Sequence, residues 1–444
     1  MNTFSPRKKT RVKLEVRADK VFLPLVASFA SRASTAVGLG EIEALHLARA
    51  AERVFRLLSE VLPPSKRVRI SCVDGVYFVD QEFEFDLVEF EEHMSGPSAS
   101  DPHQFLEKTD DIDLDSEIGL VDTFRFVQKR TTLCIVLRKH KLYPPISQSQ
   151  APGEVSLTGS FSVRQPDPHQ LGLLALHSHQ AYPLLMLHSS FLFPGKVVDM
   201  VASGDFFAVV AVDDRGNIGG GILGRWQGSG NRVVEFYGPY VFGQDRRQEV
   251  AQLLVDGTIE MLARTNTLAL ATLMPTPELP TDYFDAVGSL SFSSEQGVAS
   301  VFNTYFRHLG EDPGSLVRVH QLLVPFVEEI YQRVALPRDV IVLQEYGESV
   351  PVRSILAADH LKFLSRVILR PMWFGRDAPD NLRRHLDTIR LQGYTNIFVE
   401  IDLGIPWHSF FVPAILDCGF RPGSILPYAG KGDLVIFEQS VREQ

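Results

Sequence analysis

The period of the apolar positions changes several times along the chain, and each change marks an element. Val12–Arg17 alternates apolar with polar and predicts a strand. Val21–Ala33 and Gly40–Val61 repeat at three and four residues and predict helices. Three strand-like runs follow, Val68–Val73, Gly75–Asp80 and Thr131–Leu137, with a helix predicted at Ile118–Val127 before the last. Asp74-Gly75 between the first two runs is a hairpin signal. Met94–Gln104, rich in Pro, Ser and Gly, reads as a loop inside this block.

Beyond Pro144–Val155, which reads as a linker, the order changes. Leu171–Ser189 is largely helical in pattern, with a break at Pro183. Phe206–Val212 and Ile218–Trp226 predict a hairpin across Asp213–Asn217. Strand Val233–Phe236, helix Arg246–Arg264, strand Leu268–Met274 and helix Glu295–Leu309 complete a second block. A third block repeats this layout with strands Val340–Gln344, Val367–Pro371 and Ile397–Asp402, and helices Pro379–Gln392 and Trp407–Cys418. The repeat suggests an internal duplication in spatial order. The expected class is α/β, with domains over 1–143, 157–334 and 335–444 and a linker over 144–156.

Composition narrows the function classes. The 444 residues are 45% hydrophobic and 22% charged, which is ordinary for globular domains. A net charge of -10 disfavours nucleic acid as a partner, although Arg7, Lys8, Lys9, Arg11 and Lys13 form a basic start. That start reads as a solvated tail. No apolar run is long enough to span a membrane, and no apolar stretch follows the basic start as in a secretory signal. Cys72, Cys134 and Cys418 sit singly, which fits a reducing cytoplasm. His177 and His179 would fall on nearly opposite faces of a helix, so no metal site is expected. There is no Gly-x-Ser-x-Gly elbow.

The most informative stretch is Val233–Arg264, in which a β-branched and aromatic run leads through Gly243–Glu249 into a long helix. A strand–loop–helix of this kind presents backbone N–H groups and a helix N-terminus to a pyrophosphate. It resembles the acetyl-CoA motif of the GCN5-related N-acetyltransferases (GNAT), Gln/Arg-x-x-Gly-x-Gly/Ala. The scaffold is present and the paired glycines are replaced by bulkier residues. The resemblance implies that Tyr240, Val241, Gln244, Arg246 and Arg247 line the cofactor segment. It also implies Glu235 as a general base and Tyr237 or Tyr283 as the acid that protonates the leaving thiolate. The hairpin Phe206–Trp226 resembles the family's preceding unit. Residues 335–440 resemble a second such module on Ile397–Asp402, Pro406–Cys418 and Gly419-Phe420, with Tyr428 as its candidate acid. Its loop Pro371–Asp377 also lacks the paired glycines.

Residues 10–142 resemble the ATP-binding domain of anti-sigma factors and histidine kinases (the GHKL fold), here as an α/β sandwich. The family's Glu-x-x-x-Asn becomes Glu52 and Arg56. Its Asp-x-Gly motif becomes Asp80–Asp86 with Glu82 at the glycine, and its Gly-x-Gly turn keeps only Gly119. Asp80 and Asp86 would then recognise adenine, while Arg56 stands where a magnesium ligand is needed. The three-part order resembles bacterial proteins that join such an ATPase domain to acetyltransferase-like modules. Losses at all three sites point to a cytoplasmic regulatory or scaffold protein without a resident cofactor, a pseudoenzyme that works by protein contact. Its rivals are an acetyl-CoA-dependent N-acetyltransferase and an Mg-ATP-binding anti-sigma-type regulator.

Overall fold

The computed structural model describes residues 10–86, 120–129, 132–147, 159–228, 230–243, 246–293, 299–344, 350–352, 354–361 and 364–439. The first block is a five-stranded antiparallel sheet in the order β1-β2-β3-β5-β4. Its strands are β1 (Arg11–Arg17), β2 (Arg67–Asp74), β3 (Phe78–Asp86), β4 (Thr123–Lys129) and β5 (Thr132–His140). Helices α1 (Leu23–Ala36) and α2 (Glu41–Val61) cover one face. Ala44, Leu47, Ala48, Ala51, Val54, Phe55 and Leu58 recur at helical spacing on α2 and are buried against Val79, Phe83 and Phe85 of β3.

The rest of the chain builds one twelve-stranded sheet rather than two separate ones. From one edge run β6 (Phe161–Arg164), β7 (Phe206–Asp213), β8 (Ile218–Gln227), β9 (Val233–Val241), β10 (Ala269–Thr272), β12 (Ala299–His308) and β11 (Asp285–Ser293). From the other run β15 (Ile355–Leu361), β16 (Arg366–Trp373), β17 (Asn396–Asp402), β19 (Leu434–Gln439) and β18 (Phe420–Leu426). β11 and β18 meet antiparallel at Gly288 and Ser424. Outward from that seam the two halves repeat each other for five strands: two antiparallel pairings, one parallel pairing, then an antiparallel strand. Each parallel pair is joined by a helix, α5 (Arg247–Leu262) between β9 and β10, and α7 (Ala378–Leu391) between β16 and β17.

β7 is buried on both faces because two layers cover it. Phe206, Ala208 and Val210 pack toward α3 (Pro168–Ala181) and α4 (Pro194–Ala202). Phe207, Val209 and Ala211 pack toward α5. An Asp167–Gln170 capping box starts α3, and Pro183 lies in the break that follows it. β13 (Ser315–His320) and β14 (Arg338–Leu343) pair in parallel as a small separate sheet around α6 (Val324–Arg333). Arg338 anchors it: the guanidinium and Asp433 are both wholly buried, 2.7 Å apart, with Asp312 on the other side at 2.7 Å. Helix α8 (Val412–Asp417) closes the fold beside β18.

Two helices expected from the sequence are strands. Glu295–Leu309 contains β12, whose residues Phe302, Thr304 and Phe306 face the core at a spacing of two. Its aromatic pairs fit either period, and pairing with β10 and β11 decides for the strand. Ile118–Val127 overlaps β4, rich in β-forming residues and hydrogen-bonded along β5. Trp407–Cys418 begins as a 3-10 turn before α8. Loop 94–104 and most of linker 144–156 lie outside the described residues. Among the described residues no helix is long and apolar enough to cross a membrane.

The seam is close. Gly288 has φ +137°, and a Cβ there would meet the Gly423 carbonyl oxygen at 2.1 Å and Ser424 Cα at 2.6 Å. Gly288→Val is expected to cost roughly 1–3 kcal/mol by overpacking, read as a lower urea midpoint with unchanged slope. An unchanged midpoint would contradict the close contact.

Candidate functional site

β9 and β10 pair over only three residues, Val233 to Glu235 against Ala269 to Ala271, and then part. β9 bulges outward at Gly238-Pro239, where β8 skips one residue against two. The wedge beyond the parting point lies at the start of α5, where the acetyltransferase motif would seat its pyrophosphate. The chain's own groups occupy it. The Tyr182 hydroxyl accepts from Val241 N–H at 2.8 Å and donates to Glu278 Oε2 at 3.0 Å. Arg247 closes on Glu278 and donates to Tyr182 Oη at 3.2 Å and to the Gly243 carbonyl at 2.9 Å. Thr276 Oγ1 donates to the Pro239 carbonyl at 2.7 Å. Burial and then the Glu278 carboxylate push the Tyr182 phenol up, so it stays protonated. Burial opposes the Arg247 charge, but the bonds to Glu278 more than offset it.

The equivalent loop of the third block is also filled from within. Arg376 N–H donates to the Pro351 carbonyl at 2.8 Å and Asp377 N–H to the Val352 carbonyl at 3.3 Å. Asp377 Oδ1 accepts from Ser354 N–H, and Asn381 Nδ2 donates to Ser354 O at 3.0 Å. The N–H groups that would hold a phosphate therefore hold the carbonyls of Pro351 and Val352. Asp377 and Asp380 also place negative charge at the start of α7, where an anion would be repelled.

The other candidates of the acetyl-CoA reading are dispersed. Tyr240 and Val241 are fully buried, and the Tyr240 hydroxyl donates to the Met186 carbonyl at 2.8 Å. Arg246 lies at the surface with φ +59° and pairs with Glu249. Gln244 lies outside the described residues. Tyr283 is exposed under the Arg307 guanidinium. Tyr428 is buried beside Arg338. Glu235 and Tyr237 alternate along β9 and share a face. Both line a chamber of about 1780 Å³ enclosed by all three blocks. Burial and then Glu235 push the Tyr237 phenol up.

The residues of the ATP reading fall on different surfaces. Glu52 and Arg56 pair with each other at 2.9 Å on the outer side of α2. Asp80 lies on the face of β3 turned away from the helices and grips Arg138 through two 2.7 Å bonds. Asp86 sits six residues farther along β3, roughly 20 Å away. Gly119 lies outside the described residues. Among the described residues no cluster of His, Cys, Asp and Glu could hold a metal ion.

Sequence reasoning missed the chamber's cations: Lys196, Arg125, Arg138, Arg225, Arg366 and Arg370. They come from distant segments and converge only in the fold. The signal available was a charge at an inward position of an apolar strand, as with Arg366 and Arg370 around Val367–Leu369. Arg370 is satisfied by Glu400 Oε2 at 2.6 Å and by Asp359. His188 packs on Tyr237 at 4.6 Å, and burial followed by Arg225 and Lys196 holds it well below the usual imidazole range. Burial and Lys196 push His140 down to about 3, and burial and Lys431 push His408 down to about 3.

No family model and no curated protein matches the chain. Solved acetyltransferases do resemble part of it. An aminoglycoside 6'-acetyltransferase type Ii is 18% identical over 34% of this chain and 99% of its own, with a TM-score of 0.27. A phosphinothricin acetyltransferase of the GNAT superfamily from Sinorhizobium meliloti, in complex with AcCoA, is 15% identical over 34% of this chain and 89% of its own, TM-score 0.28. A GNAT family N-acetyltransferase from Escherichia coli in complex with CoA is 16% identical over 36% and 87%, TM-score 0.27. The likeness is one of fold, over about a third of the chain.

Two outcomes are expected. Arg247→Met leaves the Glu278 carboxylate without its cation and costs roughly 1–3 kcal/mol in urea unfolding. A neutral effect would mean the wedge is not held by this pair. The three buried imidazoles stay neutral when folded, whereas the unfolded chain protonates them near pH 6.5. The unfolded state then binds more protons, so stability falls as pH drops below about 6.5, by up to about 1.4 kcal/mol per pH unit for His188 and for His408, and by less for His140, whose side chain is about a third exposed. His188→Gln should flatten that slope by one such contribution between pH 6 and pH 5. An unchanged slope would contradict a neutral buried His188.

Proposed function

We propose that this chain is a regulatory or scaffold protein on acetyltransferase-like modules whose acetyl-CoA sites no longer bind the cofactor. The observation that carries the reading is double. The wedge beside α5 is filled by Tyr182, Arg247 and Glu278, and the loop before α7 is filled by Pro351, Val352 and Ser354. A loose side chain could swing aside for a ligand. Arg247 cannot do so without leaving the buried Glu278 carboxylate uncompensated.

The β1–α1–α2–β2–β3 order, with both helices on one face of the sheet, supports reading the first block as an ATPase-like module. Asp80 is committed to Arg138 and Arg56 to Glu52, which favours a structural use of that module over Mg-ATP binding. With all three ancestral sites closed or dispersed, contact with a protein partner is the activity left to the scaffold. Glu235 and Tyr237 then line the chamber without a bound acyl donor to act on.

Titration with acetyl-CoA tests the reading. A site with a dissociation constant of about 10 μM would add about 2.7 kcal/mol of stability at 1 mM ligand, several degrees of melting temperature. No saturable shift is expected for the wild-type chain. A saturable shift at micromolar acetyl-CoA, with acetyl transfer to any amine, would overturn the proposal.

A further inference from the structure

Among the described residues, two cations of the central chamber, Arg366 and Arg125, have no ion pair, and a third, Arg225, is only partly satisfied. Arg366 projects from β16 into the chamber, and its Nε is buried with no hydrogen-bond partner. Among the described residues Arg366 makes no ion pair. The carboxylates nearest to it are already engaged: Glu235 by Gln227 and Arg225, Glu400 by Arg370. Arg225 has a second orphaned Nε and reaches Glu235 only at 3.5 Å. Arg125 on β4 has no ion pair among the described residues, and Asp80 beside it is taken by Arg138. Lys196 finds the His140 ring nitrogen at 3.3 Å.

We propose that the chamber is a binding site for a small polyanion, phosphorylated or polycarboxylic, held by Arg366, Arg225 and Arg125. The chemistry follows from the donors. A guanidinium offers a planar fork that matches two oxygens of a phosphate or carboxylate at once. Several forks from different blocks fit an anion with more than one charged group. The volume of about 1780 Å³ exceeds the usual ~300–1,000 Å³ of small-molecule sites, leaving room for a ligand of nucleotide size and its water.

The energetics point the same way. A desolvated cation with no counter-charge costs stability, and proteins keep such groups mainly where a ligand completes them. Burial, with Arg225 beside it, pushes Arg366 down from its ordinary range. Burial pushes Lys196 down to about 8. An incoming anion would reverse each of these shifts. The three blocks contribute one arginine each, from β4, β8 and β16, so the anion would also tie the blocks together. The inference does not depend on the state of the acetyl-CoA wedges, which lie elsewhere along β9 and α7.

The test uses the full-length chain and two probes, inorganic tripolyphosphate and citrate, against sodium chloride at matched ionic strength. Saturable stabilisation by at least one probe, confirmed by calorimetry, is expected, and the better probe identifies the oxygen chemistry. Arg366→Gln with Arg125→Gln should weaken that binding at least tenfold. Arg366→Gln alone should hold or raise the melting temperature of the unliganded protein, which a structural arginine would not allow. A tail variant with Arg7, Lys8 and Lys9 changed to Ala should bind as the wild type does. The proposal fails if neither probe differs from chloride. It also fails if the chamber variants bind normally or if the tail variant alone loses binding.

Discussion

Glu278 is buried in the wedge between β9 and β10, and its carboxylate is compensated by the Arg247 guanidinium, which reaches it from the partly exposed start of α5. That pairing organises the ground around it. Tyr182 joins the carboxylate, and its hydroxyl then serves the Val241 amide that the parting strands leave unpaired. A buried backbone N–H needs a partner, and in this fold the partner is a phenol rather than a ligand. The same demand recurs across the molecule. Asp433 and Asp312 gather Arg338, Asp80 gathers Arg138, and Asp359 with Glu400 gather Arg370. Most of these pairs fasten strands within one block, and Arg338–Asp312 links the second block to the third.

Much of this architecture was legible from periodicity, and the parts that were not have physical reasons. α2 and α7 show apolar residues at three and four, and both were read correctly. The strand–loop–helix from Val233 was visible because a β-branched run changes to helical spacing across a polar loop. β12 was misread because Val301-Phe302 and Tyr305-Phe306 suit a helix as well as a strand, and only its neighbours decide. The sheet seam had no local signature. It rests on Gly288 and Ser424, which carry no pattern of their own. Missing glycines suggested damage to the cofactor loops, but not what fills them: Glu278 lies 31 residues from Arg247, and Val352 is 25 residues from Asp377.

The two halves of the large sheet tell a consistent story. They repeat five strands in the same order and sense, and in each the start of the crossover helix is filled by a different device. One uses an ion pair and a phenol, the other a returning stretch of main chain. Two unrelated fillings on a repeated strand order fit the proposed reading that neither loop holds a cofactor. The chamber between the blocks differs from the wedges, for the buried Nε of Arg366 and of Arg225 finds no hydrogen-bond partner there.

The central claim is that the wedge beside α5 is occupied by the protein itself. Hydrogen–deuterium exchange across residues 233–250, with and without millimolar acetyl-CoA, addresses it directly. Val241 N–H is bonded to Tyr182, so its peptide should be protected in the free protein and unchanged by the cofactor. Tyr182→Phe should release that protection in the absence of any ligand. Fast exchange in the free wild type, with protection appearing on addition of acetyl-CoA, would contradict the account.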